Sequence, residues 1–226
     1  MYLEYLKSKL MKKIPLKICG ITNVKSVEMA YKNKIKLLGF ASKNLNGPNT
    51  VSDKKIKTLI KECKNYKIES VLLTQYVSLD KIIEQIDFTK PKTISCSFHF
   101  SKAELETIRN TFKKLRIGIA VNPENFDISY LRSIKNIVNV IYYDLNVYKT
   151  KSIRKYSLKK NLDQINWIKG LKIPIFIGGG INQNNVSKII NSVRPDGLDI
   201  SRSLKNSKNI LSSKKLNSFL SQISVA

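Results

Sequence analysis

Leu16-Lys17-Ile18-Cys19-Gly20-Ile21-Thr22-Asn23-Val24-Lys25-Ser26-Val27-Glu28-Met29-Ala30-Tyr31 is the stretch on which the reading of the fold turns. Its apolar run Leu16–Cys19 predicts a buried strand. Val24–Tyr31 has the spacing of an amphipathic helix, with Thr22 or Asn23 as its cap. Strand, glycine turn and helix in that order form one βα unit. In parallel α/β folds the carboxyl ends of the strands carry the chemistry, and Cys19 stands at such an end. A free cysteine is otherwise a small core residue, so this segment alone leaves both readings of Cys19 open.

Outward from this unit the pattern repeats about every 25 residues. Strands are predicted at Leu16–Cys19, Leu37–Ala41, Ser70–Thr74, Thr93–Ser97, Leu115–Ala120, Val138–Tyr143, Pro174–Ile177 and Gly197–Ile200. Helices are predicted at Val24–Tyr31, Asp53–Lys64, Leu79–Gln85, Ala103–Lys114, Pro123–Lys135, Leu158–Lys169, Asn184–Ser192 and Ser212–Gln222. Eight units in this length predict an α/β fold of the (β/α)8 TIM-barrel type, a single domain over residues 16–226. An open doubly wound sheet is disfavoured, since no GxGxxG follows the first strand. Residues 1–15, with Leu3, Leu6 and Leu10 near helical spacing, predict a short N-terminal helical extension, and Met11 is an alternative start.

Composition narrows the function. With 226 residues and 42% hydrophobic content the chain can bury one good core. No apolar run approaches the roughly 20 residues of a membrane span, and no signal peptide is apparent. Cys19, Cys63 and Cys96 have no metal-ligand spacing and the chain has one histidine, so no metal site is expected and the thiols read as reduced, in a cytoplasmic protein. The charge is the odd feature: 41 basic against 16 acidic residues, a net +25. The lysines are scattered over every predicted helix and are not interleaved with aromatics, so weak attraction to polyanions is expected but no dedicated nucleic-acid role.

Two further segments carry chemistry. Gly178-Gly179-Gly180 closes the seventh strand, and a strand running into glycines before a helix lets backbone N–H groups approach a phosphate. The eighth unit adds Asp199, Ser201, Arg202 and Ser203 after its strand, where barrels often complete such a cradle. At the mouth of the sixth strand stands Asp144, a candidate general acid or base. A loop-opening aspartate is the plainer reading, but together with Cys19 it could flank one substrate across a small barrel mouth.

Lys17–Thr22 (KICGIT), Phe176–Val186 (FIGGGINQNNV), Val193–Ser203 (VRPDGLDISRS) and the position of Asp144 together resemble the phosphoribosylanthranilate isomerase family of tryptophan biosynthesis, (β/α)8 enzymes. The resemblance implies an aldose–ketose isomerase (an intramolecular oxidoreductase) performing an Amadori rearrangement on a phosphorylated small molecule. It also implies Asp144 as general acid, Cys19 as general base, and Lys17, Gly178, Gly179, Gly180, Asp199, Ser201, Arg202 and Ser203 around the substrate. No cofactor is implied, because the substrate's own imine is the electron sink. The base is expected to be held near the thiolate form by the helix after Gly20 and by Lys17, which the period of two sends to the same face. The implied assembly is a monomer or homodimer.

The chain departs from the family pattern in places. Asn49 stands where a carboxylate-binding arginine is usual. Ser97-Phe98-His99-Phe100 keeps only the histidine of the fourth strand's end, and His99 is expected to be structural or to support the site from behind rather than to be catalytic. A basic stretch, Lys149 to Lys160, replaces a glycine-rich loop; Arg202, Lys149, Lys151 and Arg154 are extra cations able to take over anion binding. These departures leave two alternatives: a related barrel that binds a different sugar phosphate with lost or changed activity, and a basic RNA-associated protein.

Overall fold

The computed structural model describes residues 14–47, 49–97, 99–149, 152–155 and 158–223. The helix expected over Met1–Pro15 lies almost wholly outside them. Eight strands form the barrel wall: β1 (Leu16–Ile18), β2 (Leu37–Ser42), β4 (Glu69–Thr74), β5 (Thr93–Cys96), β6 (Arg116–Val121), β7 (Val140–Asp144), β10 (Ile175–Gly178) and β11 (Gly197–Ile200). All pair in parallel in the order β1-β11-β10-β7-β6-β5-β4-β2, and β1–β2 pairing closes the ring. A two-residue strand, β3 (Thr50–Val51), extends the pairing of β2. The (β/α)8 barrel read from the sequence is the fold of the chain.

The helices that cover the wall are α1 (Val24–Lys32), α2 (Asp53–Asn65), α3 (Leu79–Thr89), α4 (Lys102–Thr111), α5 (Ile128–Ile134), α6 (Leu158–Gly170), α7 (Val186–Val193) and α8 (Ser213–Ile223). Short polar side chains start them. Asn23 accepts from the Ser26 N–H, Ser52 and Ser78 do the same for α2 and α3, and Ser101 with Glu104 forms a capping box for α4. The fifth helix begins five residues later than predicted, at Ile128. Asn122 and Asn125 close a turn around Pro123, and the carboxylate of Asp127 takes the Ser129 and Tyr130 N–H groups. The basic stretch after Asp144 opens as an antiparallel hairpin, β8 (Asn146–Lys149) with β9 (Ser152–Lys155), which the sequence reading missed.

Alternation along the strands divides the core in two. Ile18, Leu38, Leu72, Ile94, Ile117 and Ile141 face outward into the main core beneath the helices. Inside the barrel, Val71, Val140 and Tyr142 pack with Leu37, Leu73 and Phe176. Two glycines make room for the two inner rings: a Cβ on Gly118 would stand 2.6 Å from the Tyr142 ring, and one on Gly197 2.3 Å from the Phe176 ring. The interior is therefore filled below its mouth, and polar side chains collect above this plug. Exposed lysines occur on helices all around the wall, including Lys25, Lys54, Lys102, Lys188 and Lys214. Among the described residues no helix is long and apolar enough to cross a membrane.

Candidate active site

Strand register builds the site. Lys17 on β1 pairs with Asp199 on β11, Asp199 with Gly178 on β10, and Gly178 with Asp144 on β7. Four adjacent strands thus set Lys17, Asp199, Gly178 and Asp144 in one row on the inner face. Lys17 is fully buried, and its Nζ lies 2.6 Å from Asp199 Oδ2 and 4.1 Å from the centre of the Tyr142 ring. Burial alone would lower the Lys17 ammonium, but Asp199, Cys19 and Tyr142 hold it above its ordinary value.

Cys19 is two residues beyond Lys17, so it shares the inner face one layer nearer the mouth. Lys17 Nζ reaches its Sγ at 3.9 Å. Gly39 on β2 leaves space for the sulfur, since a Cβ there would stand 3.0 Å from it. Burial pushes the Cys19 thiol up to about 11; Lys17 and Lys205 pull it down, and Asp199 pushes it further up. This corrects the expectation of a lowered thiol. The ammonium of Lys17 is already shared with Asp199, and desolvation outweighs what remains.

Asp144 has the environment of a carboxyl that keeps its proton. Burial and the nearby charge of Asp199 raise it to about 7, against the opposing pull of the Asn146 N–H and the Arg202 cation. The Asn146 N–H donates to its Oδ1 at 2.8 Å, which fixes its direction. Gly179, at φ +90°, lies against the same oxygen: a Cβ there would be 2.1 Å from Asp144 Oδ1. The glycine turn therefore houses the carboxyl of the sixth barrel strand as well as leaving backbone open to the cavity.

All these groups open onto one cavity of about 910 Å³ at the carboxyl ends of the strands. Gly178, Gly179, Gly180, Ser201, Arg202 and Ser203 line the same cavity, so the structure brings together every site residue named from the sequence. Two of the hydroxyls hold backbone: Ser201 donates to the Cys19 carbonyl at 3.1 Å, and Ser203 to the Ile181 carbonyl at 2.8 Å. The side chains of Lys149, Lys151 and Arg154 lie outside the described structure. His99 is exposed on the cavity rim.

Other participants were not read from the sequence. Asn146 orients Asp144, and Tyr142 lies under Lys17. Three buried polar atoms, Asn49 Oδ1, Ser97 Oγ and Asp199 Oδ1, have no hydrogen-bond partner among the described residues, and all three residues line the cavity. Buried polar atoms are rarely left so without reason, and a polar ligand in the cavity would meet them. Asp199 and Asn49 were singled out from the sequence, but that their oxygens are buried without a partner needed the fold. Among the described residues no cluster of side chains suits a metal ion.

A half-buried thiol, a carboxyl pushed up by burial and a glycine turn surround one polar cavity at the carboxyl ends of the strands of a (β/α)8 barrel, an arrangement suited to acid–base chemistry. The family model for N-(5'-phosphoribosyl)anthranilate (PRA) isomerase matches residues 16–222, and the chain belongs to that family. A curated N-(5'-phosphoribosyl)anthranilate isomerase from Methanocaldococcus jannaschii is 24% identical, the match covering 93% of this chain and 96% of the relative. The structure of N-(5'-phosphoribosyl)anthranilate isomerase from Pyrococcus furiosus superposes with a TM-score of 0.73 at 21% identity, over 93% of this chain and 98% of that one. A phosphoribosyl anthranilate isomerase in complex with reduced 1-(o-carboxyphenylamino)-1-deoxyribulose 5-phosphate gives a TM-score of 0.72 at 15% identity, over 94% of this chain and all of the other.

Proposed function

We propose that this chain isomerises N-(5'-phosphoribosyl)anthranilate to the corresponding 1-amino-1-deoxyribulose phosphate, with Asp144 as acid and Cys19 as base. The observation that carries this reading is that a carboxyl held up to about 7 and a half-buried thiol share one cavity in a chain of this family. Asp144, protonated near neutral pH, gives its proton to the furanose ring oxygen as the C1–O bond breaks, leaving a C1 iminium. Cys19, its own proton released to solvent once the iminium is present, then takes the proton from C2 as the thiolate, and the C2–H electron pair forms the C1–C2 double bond of an enolamine while the iminium nitrogen recovers its lone pair. Return of a proton to C1 and loss of the C2 hydroxyl proton complete the ketone, so the reaction is a net isomerisation.

The high thiol of the free protein fits this sequence of steps. The iminium is a new cation in the cavity, and a positive charge beside the sulfur favours the thiolate when it is needed. Gly179, Gly180, Arg202 and the loop held by Ser203 form the phosphate end, where open backbone and a cation suit a dianion. A second reading, a sugar phosphate bearing a different amine, is favoured by Asn49, which cannot make the two charge-assisted bonds that an arginine offers a carboxylate.

Freshly generated phosphoribosylanthranilate, followed by loss of its fluorescence, tests both readings. Turnover that disappears in Cys19→Ala establishes the reaction and the base. A folded protein without turnover overturns the first reading and leaves the second.

A further inference from the structure

Behind the turn that carries Cys19 lies a cation that the reaction scheme does not use. Lys205 follows β11 and is 3% exposed. It is not among the residues that line the cavity of the candidate site. Its Nζ donates to the Gly20 carbonyl, the residue next to Cys19, across 185 positions of sequence. Gly20 has φ +67°, and a Cβ on it would stand 3.0 Å from that Nζ. The glycine thus admits the ammonium as well as the turn.

The backbone of Lys205 is fixed on both sides. Its carbonyl accepts from Lys215 Nζ at 2.7 Å, the segment pairs Lys205 with Leu211, and the Ser212 N–H bonds the Leu204 carbonyl at 2.9 Å. Among the described residues no carboxylate pairs with Lys205. That sets it apart from Lys17, the other cation near the sulfur, whose charge is matched by Asp199 at 2.6 Å. A buried ammonium with only a carbonyl partner is costly, and an anion forming nearby offsets that cost. The titratable and charged groups that act on the sulfur are Lys17 from β1, Asp199 from β11, Tyr142 from β7 and Lys205. Lys17 acts more strongly on the sulfur but is paired with Asp199, whereas Lys205 adds a second cation that no carboxylate holds among the described residues.

We propose that Lys205 is a positioning residue for Cys19: it fixes the Cys19–Gly20 turn from behind and joins Lys17 as a second counter-cation of the Cys19 thiolate. This rests on the reading of Cys19 as the base. The electrostatics are reciprocal: Lys205 lowers the thiol, while burial lowers the Lys205 ammonium and Cys19 pulls it back up.

The test reads the thiolate without substrate, so its failure is distinct from failure of the isomerase assignment. Iodoacetamide reports Cys19 in the whole chain, because Cys63 and Cys96 are fully buried. Lys205→Gln keeps a donor for Gly20 and removes the charge. Its alkylation rate at a fixed pH below the midpoint should fall about tenfold, one unit in the midpoint, and Lys205→Arg should restore it. A purely structural lysine would change the melting temperature and leave the midpoint alone. An unchanged midpoint in folded Lys205→Gln overturns the proposal. Should that variant not fold, Cys19→Ser with 15N-labelled lysine decides: the Lys205 ammonium should titrate at lower pH than in the unaltered chain, and an unmoved titration overturns the pairing.

Discussion

The cavity has two unlike walls. On the arc made by β1, β11, β10 and β7, the lining includes Lys17, Asp144, Asp199 and Arg202. Across from it, the ends of β2, β4, β5 and β6 present Asn49, Gln75, Ser97 and Asn122, with His99 at the rim and no acidic, lysine or arginine side chain among the described lining residues. The charged arc is ordered before substrate arrives, because Asp144 is held by Asn146 and Asp199 by Lys17. The neutral arc carries two of the three unpartnered atoms, on Asn49 and Ser97. Acid–base chemistry requires groups pre-set in geometry and proton occupancy, while neutral amides and hydroxyls recognise shape and hydrogen-bonding pattern.

The comparison breaks most sharply at Asp144 and Cys19. Asp144→Asn or Cys19→Ala should lower kcat about 10³-fold or more with the fold intact, and a near-wild-type rate in either would remove the charged arc from the chemistry. Asp144 also sets a pH dependence. Its carboxyl is raised from 3.8 to about 7, so kcat/KM should fall as pH rises through 7 and the acid is lost. Between those two values the native state keeps a proton that the unfolded chain has released. The group therefore takes stability away as pH rises through that window. Asp144→Asn should melt higher than the unaltered chain at pH 8, with the gap closing toward pH 4. Equal melting curves at both values would mean that Asp144 is not held up.

Lys17→Met tests the row that supports the acid. It leaves the half-buried Asp199 without its 2.6 Å cation, and stability should drop by about 3 kcal/mol or less, read from chemical denaturation. Adding Asp199→Leu should recover most of the loss; no recovery would show that Lys17 acts through packing alone. A smaller effect is expected at Gly179. A methyl there would stand 2.1 Å from Asp144 Oδ1 and 2.6 Å from the Leu145 nitrogen. Gly179→Ala should therefore lower kcat about 100-fold by displacing the acid, beyond any rise in KM from the phosphate end. A change in KM alone would return the glycine to phosphate binding only.

The two arcs were unequally legible in the sequence. Strand ends are marked by a local switch from an apolar run to glycine or a polar residue, which put Cys19, Asp144 and Gly178–Gly180 in view. Helix starts are marked by Asn23, Ser52, Ser78 and Ser101, each bonding an N–H only three residues away. The Lys17–Asp199 pair was not legible as a pair, since it depends on a β1–β11 register between residues 182 apart. The β8–β9 hairpin was missed because its strands pair only with each other and carry no apolar alternation. Proton occupancy was misread at Cys19 because proximity to a lysine says nothing of what else holds that lysine. The direction of the Asp144 carboxyl also needed the fold, because burial and Asp199 raise it only once β7, β10 and β11 are adjacent.

The smallest effect sharpens the neutral arc. Asn49 packs beside the Cys19–Gly20 turn, where its Cβ would be 3.0 Å from a Cβ on Gly20, and its Oδ1 has no partner among the described residues. An anthranilate carboxylate against this arc meets amides and hydroxyls, with His99 at the rim, and no lysine or arginine among the described lining residues. Asn49→Arg would offer it a planar pair of donors, and a charge-assisted bond of this kind contributes about 1.5–3 kcal/mol, so KM for phosphoribosylanthranilate should fall about tenfold or more with kcat little changed. If KM instead stays constant or rises, the carboxylate does not lie on this arc, and the charged side, where Arg202 lines the cavity, is the place to look. Arg202→Gln separates the two outcomes. A rise in KM for phosphoribosylanthranilate, without a matching rise in the inhibition constant for inorganic phosphate, would assign the arginine to the carboxylate. A matching rise would assign it to the phosphate and leave the aromatic acid to neutral donors.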